Sequence, residues 1–90
     1  MAKMGDYTKI SSNTTTQVKT GSGILHRIIV CDHGSSWQID ISDNTTGTGS
    51  DMGSLKPTAP YVFEFKTRFQ KGLRITTSGT TAGNIIVVWE

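Results

Sequence analysis

The sequence predicts an all-β chain: a small antiparallel β-sandwich or jelly-roll-like barrel of about seven strands. Three observations carry this reading. Short runs of β-branched and aromatic residues recur along the chain, separated by Gly, Ser and Thr turns. No window has the apolar spacing of an amphipathic helix. Threonine and serine take the place of the usual charged residues, with only 18% Asp, Glu, Lys and Arg against about 25% in an ordinary soluble domain. Ninety residues make one domain, residues 1–90, with 1–5 read as a flexible N-terminal end.

Tyr7 to Ile10 reads as a short first strand, ended by the turn formers Ser11, Ser12 and Asn13. Thr14 to Lys19 alternates weakly. Thr20-Gly21-Ser22-Gly23 then leads into Ile24 to Cys31, the longest β-branched apolar run in the chain. That run is apolar on both faces, with Ile24, Ile28 and Val30 on one side and Leu25, Ile29 and Cys31 on the other. After the turn at Asp32 to Ser36, Trp37, Ile39 and Ile41 alternate with Gln38 and Asp40, so one face is wet.

Asp43 to Gly53 is a long polar loop, expected to be exposed. Pro57 and Pro60 exclude a central strand from the connection Leu55 to Pro60. Tyr61 to Phe69 gives the clearest period-2 pattern, with Tyr61, Phe63 and Phe65 inward. Leu73, Ile75 and Thr77 form the next inward set beyond a turn at Gln70 to Gly72. Ile85 to Trp89 closes the chain and is again apolar on both faces. The expected core is Ile28, Val30, Trp37, Ile39, Ile41, Tyr61, Phe63, Phe65, Leu73, Ile75, Ile85 and Val87.

A chain of this size has a small core, and its single cysteine allows no intrachain disulfide. Small cores without staples gain stability by oligomerising. The second faces of the two doubly apolar strands supply a candidate subunit interface: Leu25, Ile29, Ile86 and Val88. The lone thiol, with no secretory signal pattern, fits synthesis in a reducing cytoplasm. No stretch is long and apolar enough to span a bilayer as a helix, so no membrane partner is expected.

No constellation for catalysis emerges, and the chain reads as a non-enzyme without cofactors. His26, Cys31, Asp32 and His33 offer nucleophile or zinc-ligand types, but His26 and Cys31 fall on opposite faces of their strand. The blander reading is a buried structural thiol and a turn histidine. Asp40, Asp43, Asn44 and Asp51 frame an oxygen-rich loop without the spacing of a known calcium loop. Asn13-Thr14-Thr15 and Asn44-Thr45-Thr46 match the glycosylation pattern, which has no meaning without secretion. Lys66, Arg68, Lys71 and Arg74 gather around a predicted hairpin and form a candidate partner-contact patch. The nearby phenylalanines point to the core and a net charge of +2 is mild, so nucleic acid is not the expected partner.

The segment order resembles small virion proteins encoded among the head genes of tailed bacteriophages. Asn13 to Ile28 carries the likeness first, as a Thr-rich strand, Gly-Ser-Gly and an Ile-Leu-His strand. Trp37 to Asn44 follows, then Tyr61 to Phe65 and Gly72 to Gly79, up to the closing Ile-Val-Val-Trp. These proteins are similar to capsid decoration or cement proteins. The resemblance implies a virion location after synthesis in the host bacterium, the major capsid protein as partner, assembly as a homotrimer, and no catalytic residues. Its expected mechanism is stabilisation of the head by binding across capsomers. The alternative is a ligand- or receptor-binding β module, a tail knob or a small anti-defence binding protein, with Trp37, Tyr61 and Trp89 as stacking candidates. A cement protein needs a broad flat face, whereas a binding module needs a concave site with converging polar groups.

Overall fold

The computed structural model describes residues 5–90. Of the expected loose N-terminal end, Met1 to Met4 lie outside the described residues. The chain forms eight strands: β1 (Asp6–Ile10), β2 (Thr15–Thr20), β3 (Gly23–Asp32), β4 (Gln38–Asp43), β5 (Gly53–Leu55), β6 (Tyr61–Phe69), β7 (Gly72–Ser78) and β8 (Asn84–Trp89). One more strand is present than the sequence predicts. The addition, β5, has only three residues and no alternating pattern.

The strands make two four-stranded antiparallel sheets, ordered β1-β8-β3-β6 and β2-β7-β4-β5. The pairing is nested. The first strand pairs with the last, the second with the seventh, the third with the sixth and the fourth with the fifth. Of the connections between successive strands, the one from β4 to β5 stays within a sheet and the others cross between the sheets. This is the strand order of a jelly roll, in which two sheets share one core.

Between the sheets lie Ile10, Leu25, Ile28, Val30, Phe69, Ile85 and Val87 from the first, and Ile39, Ile41, Leu73 and Ile75 from the second, with Trp37 plugging one end. The indole N–H of Trp37 donates to Asn13 Oδ1 at 2.8 Å, and Asn13 Nδ2 donates to the Gly79 carbonyl. The buried Thr77 hydroxyl donates to the Ser12 carbonyl at 2.6 Å. These bonds satisfy the polar atoms at this end of the core and tie the β1–β2 turn to β7.

Three expectations about the core are corrected. Leu25, expected at a subunit interface, is fully buried in the chain's own core, at 0% exposure. Both ladders of β3 slip between Leu25 and Arg27, so His26 is an irregular residue and the alternation reverses there. Leu25 and Ile28 thus share the inner face although their spacing is odd. Tyr61, expected inside, is 62% exposed, and Phe63 and Phe65 are half-buried. The cause is the strand order: β6 is the edge of its sheet and faces β5, which is too short to cover it. Of β5, Gly53 lies opposite the Phe65 ring and Leu55 packs against the core. Cys31, expected to be buried, is exposed near the end of β3.

Candidate functional site

The two outer faces of the sandwich differ. On the β2-β7-β4-β5 sheet the outward residues are polar and bond to one another. Asp40 Oδ1 accepts from Gln38 Nε2 at 2.8 Å and from Ser54 Oγ at 2.7 Å. Thr15 and Thr76 hydroxyls meet at 3.3 Å, and Ser42 Oγ donates to Asp51. Gln17 Nε2 donates to the carbonyls of Lys19, Asn44 and Leu73. Arg74 Nε donates to the Gly47 carbonyl at 2.6 Å, and its Nη1 to Gln17 Oε1. This face is largely satisfied by its own hydrogen bonds.

The outer face of the β1-β8-β3-β6 sheet is apolar along its middle. The register sets Lys9, Ile86, Ile29 and Val62 in one row across the sheet, and Tyr7, Val88, Arg27 and Glu64 in the next. Ile29, Ile86 and Val88 are half-buried by their neighbours in these rows, while Val62 is 44% and Tyr7 74% exposed. Arg27 Nε pairs with Glu64 Oε1 at 3.0 Å. Both are well exposed, so the pair contributes at most about 1 kcal/mol and mainly fixes the rim of the patch. Three of the four proposed interface residues therefore lie together on one outer face, and the fourth, Leu25, lies beneath it.

The edge strand β6 extends this surface. Tyr61 packs its ring edge-on against Phe63, with centroids 4.9 Å apart. Its far half carries Lys66, at φ 51°, and Arg68. Positive φ at a lysine interrupts a flat edge, and charges there discourage further strand pairing. The half from Tyr61 to Phe65 has only Glu64 as such a guard.

The proposed basic patch is not one patch. β6 and β7 belong to different sheets and do not form a hairpin. Arg68, opposite Ile24, lies on the outer side of one sheet, while Arg74 lies on the outer side of the other, holding the loop after β4. Lys71 sits in the turn between them, with Asp43. The Asp43 carboxylate accepts from the backbone N–H groups of Gln70, Lys71 and Gly72, the shortest being 2.7 Å from Lys71. Burial pushes this carboxyl up, but those three bonds and the Lys71 charge outweigh it and hold it below the ordinary carboxylate value. Asp43 was legible as a loop residue; its role as a turn clamp depends on a partner 27 positions away and has no local signature.

The other candidate clusters do not converge. His26 Nε2 lies 2.9 Å from Glu90 Oε1, away from Cys31. Asp40, Asp43 and Asp51 each bind different neighbours. Among the described residues no group of three or more His, Cys, Asp or Glu side chains is placed to hold a metal ion. Of the stacking candidates, Trp37 is buried and Trp89 lies under Lys19 Nζ, 5.8 Å from the ring centre, with its N–H on Thr8 Oγ1. Only Tyr61 is open to solvent.

A cleft of about 630 Å³ opens at one end of the sandwich, between residues 33–38 and residues 56–58. A flat face and a concave site are thus both present. No protein-family model, curated protein or solved structure matches the chain.

Proposed function

We propose that this chain is a non-enzymatic assembly protein that binds through the outer face of its β1-β8-β3-β6 sheet. One observation carries this reading: the row Ile86, Ile29 and Val62 runs apolar across that sheet, while the opposite sheet's outer face is satisfied by its own hydrogen bonds. Apolar area left in water is a source of binding energy, about 25 cal/mol per Å² when covered, less the cost of association. Joined to the resemblance in the sequence, the reading becomes a decoration or cement protein of a bacteriophage head, in which this face joins three copies and the resulting trimer is seated on the major capsid protein across capsomer boundaries. The jelly-roll fold serves many functions and adds nothing to that choice.

Co-sedimentation with phage shells lacking decoration tests it. The intact chain should pellet with the shells in saturable amounts, and Val62→Lys, which charges the face that joins the copies, should weaken binding at least tenfold while leaving the chain folded. Absence of binding to such shells would remove the capsid as partner. Binding unaffected by Val62→Lys would remove this face as the contact.

A further inference from the structure

The end cleft is a second site with different chemistry. Its floor is pre-built. Ser35 N–H donates to the Thr81 carbonyl at 2.9 Å, and the Ser35 carbonyl accepts from Thr80 and Thr81 N–H at 3.1 Å. Two glycines there leave no room for a side chain. A Cβ on Gly34 would meet the Thr81 carbonyl oxygen at 2.2 Å, and one on Gly79 would meet that of Ser36 at 2.4 Å. Ser36 is held at φ 50°, a left-handed conformation that a non-glycine residue adopts only when its surroundings impose it. Trp37 closes the bottom, and Pro57 stiffens the opposite wall.

The polar groups lining this cleft contrast with those of the sheet face. His33, Ser35, Ser36, Lys56 and Thr58 line it, and none of their side chains has a hydrogen-bond or ionic partner among the described residues. Gln38 uses its amide N–H₂ on Asp40. Lys56 is the only permanently charged side chain in the lining, which contains no carboxylate. The volume lies within the range of about 300–1,000 Å³ usual for small-molecule sites. The nearby carboxylates of Asp32 and Asp40 are engaged by the Gly34 N–H and the Gln38 amide, and the free hydroxyls and one ammonium of the lining suit anionic oxygen.

We propose that this cleft binds a small organic anion, a phosphate- or carboxylate-bearing molecule, with Lys56 as counter-ion and the hydroxyls of Ser35, Ser36 and Thr58 as donors. The assignment is independent of the role given to the sheet face, because the cleft lies at the end of the sandwich and shares none of that face's residues.

The test is a ¹⁵N chemical-shift titration of the whole protein with inorganic phosphate, glycerol phosphate and succinate, each at constant ionic strength in sodium chloride. Saturating shifts are expected at the amides of Ser35, Ser36, Gln38 and Thr58, with little change at Val62 or Ile86. Comparison of the three titrations assigns the preferred anion. Lys56 is exposed, so Lys56→Gln should fold normally and weaken binding at least tenfold. Shifts that do not saturate, that spread over all the basic residues, or that persist unchanged in Lys56→Gln would overturn the site. So would a flat response to all three anions at millimolar concentration.

Discussion

Leu25→Ala is the sharpest probe of how β3 is built. Leu25 is completely enclosed, and it faces inward only because the ladder slips at His26. Truncation removes three carbons from water-free surroundings, about 0.8 kcal/mol each by transfer, or roughly 2.4 kcal/mol. The cavity left behind raises the cost to about 3–4 kcal/mol, because neighbouring strands relax only partly. For a domain of this size that corresponds to a fall of about 12–30 °C in melting temperature. Ile24→Ala, one position earlier and on the outer face opposite Arg68, leaves no internal void and should cost about 1 kcal/mol. Urea unfolding followed by tryptophan fluorescence measures both, since Trp37 is buried. A loss below about 1 kcal/mol for Leu25→Ala, or a larger loss for Ile24→Ala, would refute the reversal at His26 and return Leu25 to the outer face.

Two further outcomes follow from the polar clamps. Asp43 has a lowered carboxyl value in the folded state, so its contribution is complete above the ordinary carboxyl pKa of about 4 and is lost as pH falls through the lower folded value. Asp43→Asn should therefore be less stable at neutral pH and show a shallower acid limb; identical pH–stability profiles for the two proteins would contradict the clamp. Asn13→Ala strands the buried indole N–H of Trp37 and should cost about 1–3 kcal/mol by denaturant unfolding, whereas Ser12→Ala, whose carbonyl rather than side chain makes the bond to Thr77, should be near neutral.

Much of the architecture was legible from local pattern alone. Trp37, Ile39 and Ile41 alternate cleanly and are buried as expected, as are Leu73, Ile75, Ile85 and Val87. Trp37 lies just before β4, and the strands that carry the others, β4, β7 and β8, are interior to their sheets, so period and burial agree. The failures sit where burial depends on what lies opposite. Tyr61, Phe63 and Phe65 have the best alternation in the chain, yet they line an edge strand facing three residues of β5. No local pattern reveals the length of the strand across the core. Leu25 turns inward against simple alternation because a one-residue irregularity inverts parity without a Gly or Pro to announce it. Arg68 and Arg74 are close in sequence yet apart in space, because the short turn between β6 and β7 has the length of a hairpin but crosses from one sheet to the other. The cleft has no local signature, because its residues come from two chain segments brought together only by the fold.

The central claim, that the outer face of the β1-β8-β3-β6 sheet is a contact surface, meets its most direct test in the molar mass of the chain in solution. Sedimentation velocity at micromolar concentration, on the intact chain and on Ile86→Lys, measures it. Ile86 lies in the middle of the apolar row, and a lysine there would place charge at the centre of any contact. The predicted result is an assembly of three 9.8 kDa chains for the unaltered protein and a folded monomer for Ile86→Lys. A folded monomer for both, or the same assembly for both, would contradict it.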